Sequence, residues 1–306
     1  MMKRMDRMTN QIEELNFEPA KFRSDVTVKL MDRMGDEQSI VRRARVSVDG
    51  SNSEENVPGT PMEKKDVGLL KRLYKDEHGV PFEGPEFEFY MEAPLFTIQQ
   101  LLKHRLSSIN QNSGRYSALN GTFYLPPEDR PLVQVGKTMD YEFESGEQWQ
   151  RDALINVTKS ENETWWHNYN AKLHIGIAKE VARQTTPHNL YASLYYKCNL
   201  RSLLNFLKLR TLRDDAVKVK DKGLIKELSE KMETLFAESL ESVVDYDKDV
   251  VIERLNDNMN FILGGQRVIS HPQFEISQIA DVMSELIQEE FPNVWESFVR
   301  AGYYNV

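Results

Sequence analysis

Hydrophobic and polar positions along the chain alternate between a period of two and a period near 3.6, which predicts short strands among longer helices. Val26–Met31 reads as a strand and Glu37–Arg45 as a short helix, after a charged arm over residues 1–20. Residues 48–66, rich in Gly, Pro, Ser and Asn, read as a loop. Asp66–Glu77 carries Leu69, Leu70, Leu73 and Tyr74 on one side at helical spacing. In Pro85–Glu92, Phe87, Phe89 and Met91 face one way and Glu88, Tyr90 and Glu92 the other, as in a strand with one buried face. Pro94 suits the first position of a helix whose apolar stripe is Leu95, Ile98 and Leu102. A long helical stretch runs from about Gln148 towards Arg183, and Leu200–Arg210 and Ile276–Glu290 are further helices. Phe291-Pro292 interrupts the chain before a short helix at Val294–Arg300. There is no internal repeat, and this order of elements predicts a mixed α/β or α+β fold with the strand order left open.

Composition narrows the function. With 306 residues, 40% hydrophobic and 28% charged, the chain is long enough for a sizeable core. No apolar run reaches the roughly 18 residues of a membrane span, and the charged first residues lack the apolar centre of a signal peptide. Cys198, the one cysteine, cannot form an internal disulfide, so a cytoplasmic setting is expected, with the thiol buried and inert. A net charge of −9 argues against a general nucleic-acid binder. Charge is unevenly spread, however. Ala93 to Pro127 holds no Asp or Glu in a chain that carries 48 acids, yet it includes Lys103, His104, Arg105 and Arg115. Either this is a buried strand and helix that exclude acids, or it is a locally positive site for an anionic small ligand.

Lys103–Ser117, KHRLSSINQNSGRYS, places cations at a helix end and follows them with a turn rich in Ser, Asn and Gly. Gln100, Lys103 and His104 fall together at i, i+3 and i+4. Hydroxyl, amide and backbone N–H donors in such a turn suit an oxyanion, and Gly114 permits close backbone approach. Arg105 and Arg115 can grip a phosphate or planar carbonyl bidentately.

The spacing resembles the signature of flavin-dependent thymidylate synthases, Arg-His-Arg-x-x-Ser-x-Asn-x-x-Ser-x-Arg. It reads here Lys103, His104, Arg105, Ser108, Asn110, Ser113 and Arg115, six of seven positions identical. Four further segments resemble the family in order: RRARVS (Arg42–Ser47), HGVPFE (His78–Glu83), ARQTTPHNLY (Ala182–Tyr191) and NLRSLLNFLKLR (Asn199–Arg210). The match lapses at Thr211 and resumes at HPQFEI, His271–Ile276, which points to an insertion of about 60 residues at roughly 211–270. Helix-prone GLIKELSEKMETLFAESLESVV and Gly264-Gly265 fall inside it. Its role is open between surface decoration and a lid or subunit contact.

The resemblance implies a central mixed β-sheet flanked by helices, in one domain over 25–306 after an N-terminal arm at 1–24. It implies reductive methylation of dUMP to dTMP, with methylenetetrahydrofolate as carbon donor and FADH2, regenerated by NADPH, as hydride donor. The dUMP contacts it implies are Gln100, Lys103, Gln111, Ser113, Gly114, Arg115, Arg183 and Arg210. The FAD contacts are Ser47, His78, Lys103, His104, Arg105, Asn110, Gln111, Asn199, Arg201, Asn205 and His271. Arg210 is the catalytic residue, favouring the N3-deprotonated uracil. No metal and no cysteine nucleophile is called for, and the implied assembly is a homotetramer with shared active sites. Lys103, Gln111 and Val80 depart from the family's Arg, Glu and Thr. Those departures leave a flavin-dependent dUMP hydroxymethylase as an alternative, and a flavin- or nucleotide-binding homologue that kept the fold but lost turnover is a second.

Overall fold

The computed structural model describes residues 15–49, 61–137, 140–211 and 272–301. The proposed insertion and His271 lie outside the described residues. Among these residues the chain is mixed α/β, as its periodicities predict, and forms two compact units, the described residues within 1–31 and 88–197 and those within 32–87 and 198–306.

Wholly or mostly in the first unit are the strands β1 (Lys21–Arg23), β2 (Thr27–Met34), β3 (Glu86–Pro94), β4 (Ser107–Gln111), β5 (Thr122–Tyr124), β6 (Val133–Lys137), β7 (Asp140–Glu144) and β8 (Tyr191–Asn199). The order β2-β3-β8-β4 makes a four-stranded sheet, most of whose residues lie in this unit. β1 pairs in parallel with β5, and β6 forms an antiparallel hairpin with β7. Phe89, Met91 and Ala93 of β3 are fully buried while Glu88, Tyr90 and Glu92 keep partial exposure, the alternation the sequence predicts.

Three expectations are corrected in this unit. Pro94 is the last residue of β3 and the N-cap of the following helix, Leu95–Leu101, not its first residue. That helix buries Thr97, Ile98 and Leu101, whereas Leu102 has already left it and is 46% exposed. It is too short for a stripe extending to Leu102. The long helix runs from Gln148 only to His174. It ends there because Gly176 takes φ +87°, with its N–H donating to Leu173 and that of Ile177 to Lys172. A four-residue helix, Lys179–Ala182, and a 3-10 turn, Arg183–Thr185, follow. Phe123, Trp166, Tyr169, Ala182 and Leu190 form the core beneath, with Leu95, Leu119 and Trp165 packed against it. Trp165 stacks on Tyr169 at 5.3 Å.

The second unit is helical: Glu37–Asp49, Lys64–Lys75, Leu200–Arg210, Phe274–Glu290 and Pro292–Arg300. Asn199 Oδ1 accepts from the Ser202 N–H at 2.8 Å and fixes the start of Leu200–Arg210, whose bounds agree with the sequence pattern. Its buried Leu203, Leu204, Phe206 and Leu207 belong to the unit's core with Ile276, Ile279, Met283 and Ile287. Cys198 is buried, as expected. Among the described residues no helix is long and apolar enough to cross a membrane.

Candidate functional site

The acid-free window does not form one helix end and one turn. Helix Leu95–Leu101 closes with the Lys103 N–H on Gln100 O at 3.1 Å and the His104 N–H on Leu101 O at 3.0 Å. The chain then enters β4, which the sequence analysis does not foresee, because Ser107–Gln111 mixes Ser, Asn and Gln with one Ile. The polar turn follows. Asn112 N–H donates to Ser193 O at 2.9 Å and ties the exit of β4 to β8. Ser113 O accepts from the Tyr116 and Ser117 N–H groups at 3.1 and 3.2 Å and from the Ser117 hydroxyl at 3.2 Å. Ser113 Oγ accepts from the Arg115 N–H at 3.3 Å.

The segment after the long helix grips this turn at three points. Lys179 Nζ donates to Tyr116 O at 2.9 Å. Glu180 pairs with Arg115, Oε1 to Nε at 3.1 Å. The third point is steric. Gly114 is buried, and a Cβ placed there would lie 2.9 Å from Leu119 Cδ2 and 3.1 Å from Arg183 Cδ, so a side chain at this position would push both away from the turn. Arg183 O is held by the Thr186 N–H at 3.0 Å and the Thr186 hydroxyl at 2.5 Å.

Between turn and clamp lies a cavity of about 440 Å³, with Gln111, Asn112, Gly114, Asn120, Glu180, Arg183, Gln184 and Thr186 on its polar walls. Leu95, Leu119, Leu190, Tyr191 and Ala192 complete it, so the unit's apolar core forms part of its lining. The structure thus brings Gln111, Gly114 and Arg183 to one cavity, with Ser113 and Arg115 in the adjoining turn. Gln100, Lys103, His104, Arg105 and Asn110 do not line it. Lys103, Arg105 and Asn110 are exposed. Glu180, Lys179, Asn120 and Gln184 are additions. Only their closeness in sequence to Arg183 or to the polar turn could have flagged them.

Ser47, His78, Asn199, Arg201, Asn205 and Arg210 belong to the second unit. Here the HGVPFE segment meets the start of helix Leu200–Arg210. Leu200 N–H donates to Pro85 O at 2.9 Å, and Arg201 Nη1 contacts Glu83 Oε1 at 2.6 Å. A Cβ on Gly79 would fall 2.6 Å from Arg201 Cζ, so the guanidinium lies across bare backbone beside His78. Asn199 spends its side-chain oxygen on the helix cap, leaving its amide N–H groups as donors. His78 and Asn205 are exposed and Arg201 half-exposed, a cationic and amide donor set that fits an anionic dinucleotide. Arg210, at the end of the helix, is half-buried, and burial draws its guanidinium below the ordinary arginine value.

Comparison with known proteins gives the family. The family profile described as thymidylate synthase complementing protein matches residues 29–237. A flavin-dependent thymidylate synthase of Tropheryma whipplei is 40% identical over 193 residues, covering 63% of this chain and 79% of that protein. That of Streptomyces avermitilis is 39% identical over 191 residues, covering 62% and 77%. Among solved structures, PolB from Streptomyces cacaoi, a UMP/dUMP methylase bound with 5-Br UMP, superposes with a TM-score of 0.69 at 28% identity, covering 94% of this chain and 99% of that one.

Proposed function

We propose, from the premise that the chain belongs to the thymidylate synthase complementing family, that of the flavin-dependent thymidylate synthases, that it reductively methylates dUMP to dTMP. One observation carries the reading: Gln111, Gly114 and Arg183, from segments about seventy residues apart, line one cavity with Arg115 in the adjoining turn. Arg183 and Arg115 hold the nucleotide phosphate through charge-assisted bonds, and the backbone N–H of Gly114, on the cavity wall, adds a donor. Gln111 and Asn112 supply amide donors and acceptors for sugar and base edges.

The flavin-holding residues would be His78, Arg201 and Asn205, with Ser47, Lys103, His104, Arg105, Asn110, Gln111, Asn199 and His271 as the resemblance implies. Bound flavin supplies a hydride to the one-carbon unit, which methylenetetrahydrofolate donates, and NADPH restores the reduced form. Arg210 places a guanidinium in a partly desolvated setting, where a fixed positive charge favours the N3-deprotonated uracil and makes C5 more nucleophilic. Gln100 and Lys103 complete the nucleotide contacts, and the working assembly is a homotetramer in which several copies furnish each site. Arg210→Ala lowers turnover by about a hundredfold or more while leaving flavin absorbance intact. Unchanged turnover overturns the assignment.

A second reading, methylation of UMP as well as dUMP, is favoured by the likeness to PolB over 94% of this chain. The neutral amides of Gln111, Asn112 and Asn120 are compatible with either sugar.

A further inference from the structure

Glu180 is an acid on the wall of a cavity whose other charged lining residue is Arg183. Its carboxylate is 3.1 Å from Arg115 Nε, and both side chains keep about half their exposure. The residue before it, Lys179, is anchored on Tyr116 O, and the segment continues into Arg183 packed under Gly114. Glu180 is therefore held on the turn that carries Arg115 by contacts on either side of it, not by a free loop.

Charge counting shows what such an acid does. Arg115, Arg183 and Glu180 together leave one net positive charge, and the nearby Lys179 is outside the cavity lining with its Nζ donating to Tyr116 O. A phosphomonoester carries roughly −1.5 to −2 near neutral pH, and each further phosphate adds at least one more negative charge. The first phosphate can take Arg115 from the carboxylate and gain two guanidinium partners. Further phosphates find no additional cation among the cavity's lining residues and meet the Glu180 carboxylate instead.

We propose that Glu180 is a specificity-determining residue that competes with the nucleotide phosphate for Arg115 and restricts the cavity to nucleoside monophosphates. The proposal rests on the reading of this cavity as the nucleotide site. Glu180 acts through charge, so its conservative variant retains the effect, and the effect is screened by salt.

Equilibrium binding of dUMP and dUTP to the full chain, for wild type, Glu180→Gln and Glu180→Asp, tests it. Wild type binds dUMP and discriminates against dUTP. Glu180→Gln tightens dUMP by about threefold and reduces the dUTP-to-dUMP discrimination by about tenfold at low salt, with a smaller change at high salt. Glu180→Asp keeps the wild-type ratio. A ratio unchanged in Glu180→Gln overturns the role of Glu180 while leaving the nucleotide site intact. Loss of discrimination in both variants equally makes Glu180 a structural prop and overturns the charge argument. Failure of wild type to bind dUMP overturns the reading of the cavity, and the proposal with it.

Discussion

In the second unit a cavity of about 1050 Å³ opens between Arg33, Glu37, Gln38, Arg42, Arg43 and Glu290, while the first unit's cavity measures about 440 Å³. The larger one is rich in charge, but several of those charges are engaged in holding helices. Arg33 pairs with Glu290 at 2.9 Å. Glu37, 6% exposed, accepts from the Asn293 and Val294 N–H groups at 2.7 and 2.9 Å and from Asn293 Nδ2 at 2.6 Å, capping the last helix. In the smaller cavity the core supplies one wall, a glycine admits the Arg183 stem, and Arg115 meets a carboxylate that an anionic ligand can replace. Size does not mark a ligand site. What distinguishes the proposed ligand site is a glycine that admits an arginine stem and a half-exposed ion pair that an anionic ligand would open.

That contrast can be broken by substitution. The largest effect is expected in the second unit, where Asp66 is 2% exposed and pairs with Arg45. Arg45→Met strands a buried carboxylate and lowers stability by about 3–5 kcal/mol, read from the urea midpoint. Arg183→Ala comes next. It weakens dUMP binding by roughly 30- to 100-fold, the loss of about 2–3 kcal/mol of charge-assisted bonding, with the urea midpoint nearly unmoved. If Arg183→Ala instead costs as much stability as Arg45→Met, the division between holding and binding residues fails.

The smallest effect concerns Arg23, which bonds Asp25 and Glu92 at 2.8 Å. The hydrogen bond from Arg23 holds the Asp25 carboxyl below its ordinary value. Bonds from Tyr90 and then Arg23 do the same for Glu92. Because both values are depressed in the folded state, the stabilisation is present above the ordinary carboxylate range and lost as pH falls through the folded values. Arg23→Met therefore costs about 0.5–1 kcal/mol near pH 7, and the gap to wild type narrows below about pH 4. A gap independent of pH assigns Arg23 to packing alone.

Much of this was legible before any coordinates. Leu200–Arg210 announces itself by an N-cap residue and a stripe of leucines, and β3 by strict alternation. Of the stretch from Lys103 to Arg115, Gln111, Asn112 and Gly114 line the cavity together with Arg183, while Lys103, His104, Arg105 and Asn110 do not line it. Other features were not legible, for identifiable reasons. β4 is held by sheet pairing that local composition does not encode, because SSINQ has one apolar residue among four polar ones. β8 does alternate, with Ala192, Leu194, Tyr196 and Cys198 buried between Ser193, Tyr195, Lys197 and Asn199, but its two adjacent tyrosines on opposite faces blur the pattern in sequence. The end of the long helix hangs on a positive φ at Gly176, a residue a helix can also accommodate internally. The clamp of Lys179 on Tyr116 joins residues 63 apart. No spacing rule reaches that far.

We propose above all that this chain methylates dUMP using a folate-borne carbon and a reduced flavin. Product mass after incubating the flavin-reduced protein with dUMP and methylenetetrahydrofolate tests it most directly. The account predicts the mass of dTMP. A hydroxymethyl-dUMP mass, or unreacted dUMP with flavin bound, contradicts it.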